Sequence, residues 1–82
     1  MGSREQKLLE RFKSIPADFE WAELRRLLEG VGYEEAQGSG SRVKFIGEQL
    51  PRILLHKPHP GNIVKRSALR DVRKLLLEAE LI

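Results

Sequence analysis

The 82-residue sequence contains no cysteine, which removes disulfide frameworks, thiolate nucleophiles and cysteine-based zinc sites together. Nor does it contain an apolar run longer than three residues, the longest being Ile53 to Leu55 and Leu75 to Leu77. A membrane-spanning helix needs about 20 such residues, and a secretory signal about 7 in its core. The expectation is a soluble protein with no membrane partner, in keeping with a reducing cytoplasm. Gly2 does not open a myristoylation signal, because Gln6 stands where Ser or Thr is required. A chain this short buries roughly 60 to 65% of its unfolded surface, so it has one small core and no room for several domains.

Acidic residues are scarce where basic ones are dense. The chain carries 15 Lys+Arg and 12 Asp+Glu, a net charge of +3. Residues 1–41 hold 6 basic and 8 acidic groups, residues 42–74 hold 9 and 2, and residues 75–82 hold 2 acidic groups alone. The local balances are −2, +7 and −2. A concentrated cationic segment attracts polyanions better than a scattered one, and nucleic acid is the usual polyanion of a cytoplasm. The alternative is a solvated basic face that keeps the protein in solution.

Leu8, Leu9 and Phe12 share a helical face, which predicts a short amphipathic helix from about Arg4 to Lys13, ended by Pro16. Asp18 is placed to cap a second helix with the apolar stripe Trp21, Leu24, Leu27, Leu28 and Val31, and Gly30 and Gly32 stop it. The apolar period then falls from 3.6 toward 2. Tyr33–Gln37, Arg42–Ile46 and Arg52–His56 read as strands, separated by the flexible Gly38–Ser41 turn and a Gly47–Gln49 hairpin loop. Pairing about a centre near residue 49 sets Val43 opposite Leu55 and Phe45 opposite Ile53 on a buried face. It sets Arg42 opposite His56 and Lys44 opposite Leu54 on the other. A rigid loop from His56 to Asn62, stiffened by Pro58 and Pro60, leads to a last helix from Lys65 or Arg66 to Ala79 with Leu69, Val72, Leu75, Leu76 and Ala79 inward. The order α-α-β-β-β-α predicts an α+β sandwich, a three-stranded antiparallel meander with helices on one face. The other face and a sheet edge beside the hairpin are open to a partner.

Lys65 and Arg66 fall where the dipole of the last helix is already positive, an arrangement that a phosphate relieves. Arg70 one turn on, with Arg73 and Lys74 beyond, extends the same cationic surface, unless Asp71 and solvent screen it. The Gly38–Ser41 run lacks the lysine of a phosphate loop; its bare backbone instead suits the close approach of another chain. His56 and His59 are the only imidazoles, and their spacing across Pro58 is not that of a helical zinc pair. Residues 42–74 offer only Glu48 and Asp71 as carboxylates, too few for a two-metal nuclease. Neither metal nor cofactor is expected. Metal-free RNA cleavage needs a histidine to take the 2′-OH proton and cations to stabilise the charged phosphorus centre, and either histidine is as readily a loop residue with local hydrogen bonds.

Gly38-x-Gly40-Ser41-Arg42-Val43-x-Phe45, then Pro58-His59-Pro60-Gly61, then Lys65 and Leu69-Arg70-x-Val72-x-Lys74 resemble the HicA toxins, small bacterial ribonucleases of type II toxin-antitoxin operons. The resemblance spans about residues 18–77, and residues 1–17 are similar to the N-terminal helical extension of a longer branch, before a domain at 18–82. It implies a double-stranded-RNA-binding-domain-like fold, mRNA cleavage under stress, and neutralisation by a HicB-like antitoxin. Gly40 and Ser41 match the family turn, Lys65 and Arg70 its basic helix, and His59 the histidine of its proline-rich loop. Members that cleave RNA carry a histidine directly after Gly-Ser, and this chain has Arg42 there. Cross-strand neighbours lie about 5 Å apart at their β-carbons, so His56 beside Arg42 moves the imidazole one strand sideways. In that arrangement His56 is the base, Arg42 and Lys44 hold the scissile phosphate, and Lys65, Arg66 and Arg70 grip a neighbouring one. Two alternatives stand beside the enzyme: a catalytically silent RNA-binding or antitoxin-binding module of the same fold, and a pure protein-interaction domain.

Overall fold

The computed structural model describes residues 3–38 and 40–82, with side chains from residue 5 onward; Ser39, at the centre of the predicted turn, lies outside the described residues. Leu8 and Leu9 with Phe12 form the inner face of α1 (Ser3–Lys13), which matches the predicted helix. The second helix, α2 (Trp21–Val31), buries Trp21, Leu24, Leu27 and Leu28 as its stripe requires, while Val31 is half-buried. Its cap is not Asp18. The extended residue before the helix is Glu20, whose N–H donates to the Glu23 carboxylate at 2.9 Å, one arm of a capping box. Asp18 sits too early to reach the helix and instead accepts from Arg11 at 3.1 Å.

Three strands follow, β1 (Glu34–Gln37), β2 (Arg42–Ile46) and β3 (Ile53–His56), paired antiparallel in the order β1-β2-β3. Tyr33 and Arg52, the first residues of their predicted strands, fall just outside the observed ones. Tyr33 is buried and its hydroxyl donates to the Pro51 carbonyl at 2.7 Å, tying the start of β1 to the β2–β3 loop; burial pushes its phenol up. Val43, Phe45 and Ile53 point to one side, where they join Leu24, Leu28, Leu69, Val72 and Leu76 in a single core. The last helix, α3 (Arg66–Glu78), supplies Leu69, Val72 and Leu76, each worth about 1.5–3 kcal/mol of burial. Leu75 is half-buried, whereas Ala79 is the exposed C-cap rather than an inward residue. The helices thus lie to one side of the sheet, α1 packed on α2 and α3, an α+β fold, and Leu54 and Ile46 stand exposed on the other.

The segment between α1 and α2 is fastened by arginines. Arg11 donates to both oxygens of Glu23 (3.1 Å each), to the Asp18 carboxylate and to the Asp18 carbonyl, and it lies over the Phe19 ring. Arg66 donates to the Ile15 carbonyl at 3.0 Å and Arg73 to that of Lys13 at 2.6 Å. These bonds hold Ile15 buried with φ +53°, a left-handed conformation that a β-branched residue avoids. Several glycines are required by geometry, two of them in the turns that flank β2. Gly47 lies so close to the Gly32 carbonyl that a β-carbon would meet it at 2.8 Å, and Gly40 has φ +63° in open space.

Three outcomes test this description. Arg11→Ala lowers Tm by more than Arg25→Ala, a half-exposed arginine whose partners lie at 3.5 and 3.9 Å. The hydrogen bond from Arg11 holds the Glu23 carboxyl below the usual range, so its stabilisation is complete above about pH 4.3, the unfolded value, and vanishes as pH falls through the lowered folded value. The Tm gap between wild type and Glu23→Gln therefore closes on acidification below about pH 4. In urea unfolding, Gly47→Ala costs about 1–3 kcal/mol and Gly40→Ala about 1 kcal/mol, overpacking against backbone exceeding a strained dihedral.

Candidate functional site

β2 and β3 pair with Arg42 opposite His56, Val43 opposite Leu55, Lys44 opposite Leu54 and Phe45 opposite Ile53, the register predicted from the alternation. The Lys57 N–H donates to the Ser41 carbonyl at 2.8 Å. Bonded and unbonded pairs alternate in an antiparallel ladder, so 43–55 and 45–53 are bonded and Arg42–His56 is an unbonded pair. The Arg42 carbonyl accordingly accepts from the other side, from Gly38 N–H at 3.0 Å. Unbonded partners bring their α-carbons to about 4.5 Å and their side chains closer together. Arg42 and His56 therefore stand side by side, both exposed, on the face opposite the helices.

Between the outer edge of β3 and α3 lies an open groove of about 720 Å³. Trp21, Ile53, Val64 and Val72 give it an apolar floor, and Ser41, His56, Lys57, His59 and Lys65 reach its rim. Trp21 packs on Phe45 with ring centroids 5.9 Å apart, and its buried indole N–H has no acceptor among the described residues. Ring contact, not a hydrogen bond, holds it there. The proline-rich loop that carries His59 is pinned at both ends. Lys57 bonds Ser41 at one, and at the other the backbone N–H of Trp21 reaches the Asn62 carbonyl at 2.7 Å and that of Val64 the Phe19 carbonyl at 2.8 Å.

The basic helix divides into two flanks. At 100° per residue, Ala68, Asp71 and Leu75 face the groove, while Arg66, Arg70, Arg73 and Lys74 share the opposite flank. Arg66 and Arg73 are already bonded to the Ile15 and Lys13 carbonyls. The single cluster expected of Arg42, His56, Lys65, Arg66, Arg70 and Lys74 is thus split. The fold gathers His56, His59 and Lys65 at the groove, with Arg42 and Lys44 on the adjoining sheet face, and it sends Arg66, Arg70 and Lys74 elsewhere. The split follows from the placement of Leu69, Val72 and Leu76 against the core, which leaves positions 66, 70 and 74 one side only. Lys57 and Arg52 line the groove as well, and sequence reasoning passed over both. Lys57 was findable, since it directly follows His56 within the cationic stretch.

Lys65 is the extended residue before α3, whose first turn holds no acidic residue and no side-chain cap. Among the described residues, no carboxylate lies within 4 Å of Arg42, Lys44, Lys57 or Lys65, so none of them is ion-paired with Asp71. Gly40, next to the groove-lining Ser41, has nothing within 4 Å of its missing β-carbon, whereas Gly38 spends its bareness internally against the Arg42 carbonyl. No group of three or more His, Asp or Glu side chains able to hold a metal occurs among the described residues. None of their helices is long and apolar enough to cross a membrane.

Comparison with curated proteins and with solved structures gave no match. A family model described as HicA toxin of bacterial toxin-antitoxin matches residues 21–79, from the first residue of α2 to the C-cap of α3. With the whole sheet, the proline-rich loop and all of α3 inside that segment, the chain belongs to the HicA toxin family, the toxin side of a bacterial toxin-antitoxin pair.

Proposed function

We propose that this toxin is a metal-independent mRNA endoribonuclease, cytoplasmic and neutralised by a HicB-like antitoxin. The observation that carries the reading is the unbonded Arg42–His56 pair on the open sheet face, beside a groove that also takes His59 and Lys65. His56 accepts the proton of a ribose 2′-OH, whose oxygen attacks the adjacent phosphorus. Arg42, one strand away, neutralises the charge that builds on the phosphoryl oxygens, a role worth several kcal/mol when the donor is held in place. The bond to the 5′ oxygen breaks, and His59 on the same groove supplies that oxygen's proton. The products are a 2′,3′-cyclic phosphate and a 5′-hydroxyl. Lys57 and Lys65 hold a neighbouring phosphate, with the N–H groups at the start of α3. Arg66 has no part in this, because its guanidinium serves the Ile15 carbonyl.

A second reading is favoured by one residue: Arg42 occupies the position after Gly-Ser where RNA-cleaving relatives of this family place histidine. Without a relocated base the chain binds RNA or antitoxin and cleaves nothing.

The two readings separate on purified protein. The enzyme cleaves single-stranded RNA in the presence of EDTA, leaves cyclic phosphate ends, and loses at least about 100-fold in rate in His56→Ala. Full activity in that variant removes His56 from the mechanism, and wild-type binding without cleavage selects the silent module. Salt titration of RNA binding tests the two flanks of α3. Lys65→Ala and Lys57→Ala each reduce the log–log salt slope by about 0.7, while Arg70→Ala and Lys74→Ala leave it unchanged.

A further inference from the structure

β3 is the terminal strand of the sheet, and its parity leaves a specific set of backbone groups unused. The ladder that includes the Lys57–Ser41 bond sends the N–H and C=O of Ile53 and Leu55 to β2, and those of Leu54 and His56 outward. Among the described residues, neither Leu54 nor His56 has a backbone partner on that outer side. Proteins usually protect such an edge with a charge, a proline within the strand, or a bulge. Ile53–Leu54–Leu55–His56 has none of these, and Leu54 is 68% exposed. The β1 edge differs, since it carries Glu34 and Glu35, the latter paired with Arg25.

The unprotected edge forms one wall of the 720 Å³ groove, and α3 forms the other. An edge strand facing a helix across an apolar floor is the geometry in which an extended peptide adds as a further strand, bonded by main chain and selected by side chains. Arg52, Lys57 and Lys65 line this groove against Asp71 alone, so the charge complement is acidic. We infer that the groove accepts an extended acidic segment of a partner protein as a fourth strand, bonded to the backbone of Leu54 and His56. Its carboxylates meet Lys57 and Lys65, and its alternate apolar side chains rest on Ile63, Ala68 and Leu75. His56 contributes its backbone to this edge and its imidazole to the proposed chemistry, so a seated strand excludes RNA; that consequence rests on the RNA-cleaving reading, while strand addition itself does not.

The test uses the full chain and two probes, a fluorescein-labelled seven-residue peptide of alternating glutamate and valine, and a single-stranded RNA heptamer. Saturating peptide slows amide hydrogen exchange at Leu54 and His56 at least about tenfold, and Leu54→Pro weakens peptide binding about tenfold while leaving RNA affinity unchanged. Proline is compatible with the fold here because the N–H it removes points away from β2. Should that variant unfold, the exchange measurement on wild type decides alone. Unprotected Leu54 and His56 amides under saturating peptide overturn the inference, as does undiminished binding to a folded Leu54→Pro protein. Protection by the RNA and not by the peptide assigns the groove to nucleic acid and equally overturns it. Peptide protection in a protein that cleaves no RNA leaves strand addition standing and removes the nuclease reading instead.

Discussion

The parity of β2 against β3 decides what every side chain in the middle of this chain can do. Val43 and Phe45 must reach Leu24, Leu28 and Leu69, so their neighbours Arg42 and Lys44 must face away. The same constraint fixes Ile53 and Leu55 inward and turns Leu54 and His56 out. A slip of one residue would bury Arg42 and Lys44 among leucines and expose a phenylalanine, a penalty of several kcal/mol from the charges alone. The hydrophobic core therefore does more than hold the sheet to the helices. It places an arginine and a histidine side by side without any direct bond between them, and it turns the backbone of Leu54 and His56 to the free edge.

Basic residues in this protein serve two different purposes, and sequence composition does not separate them. Of the nine Lys and Arg residues between positions 42 and 74, Arg66 and Arg73 bond the carbonyls of Ile15 and Lys13, holding α3 to the turn after α1. They stabilise the fold because a guanidinium offers several donors in a fixed plane and can satisfy a carbonyl that no helix or strand reaches. Lys57 and Lys65, at the groove, have no such partner among the described residues. The excess of +7 in that segment overstates the charge available to a ligand.

What could be read from the sequence was whatever depends on near neighbours. The strand register was legible because a short hairpin leaves few alternatives and Val43, Phe45, Ile53 and Leu55 admit only one shared face. The helices were legible from their stripes. The cap of α2 was not, because Asp18 and Glu20 both precede the helix and only the path of the chain through Phe19, bonded to Val64, decides between them. The burial of Ile15 against its own dihedral preference, and the assignment of Arg66 to a carbonyl 51 residues away, rest on contacts between distant segments. The candidate site was half legible for the same reason. Arg42 and His56 are joined by a local hairpin, whereas the flank on which Arg70 and Lys74 emerge depends on how α3 rolls onto the core.

Arginine at position 42 changes the electrostatics of the site as well as its inventory. A histidine there would be a base that is largely neutral near pH 7, and arginine is a permanent cation. Beside His56 at unbonded-pair distance, it sets a fixed positive charge next to the imidazole that the proposed mechanism uses as its base. In that proposal the same charge attracts the phosphate on which the base acts. In the proposed mechanism, arginine in place of histidine on one strand therefore does not simply delete a function: with an imidazole on the next strand, proton acceptance falls to His56 and phosphate binding to Arg42, two residues that the hydrophobic register holds side by side.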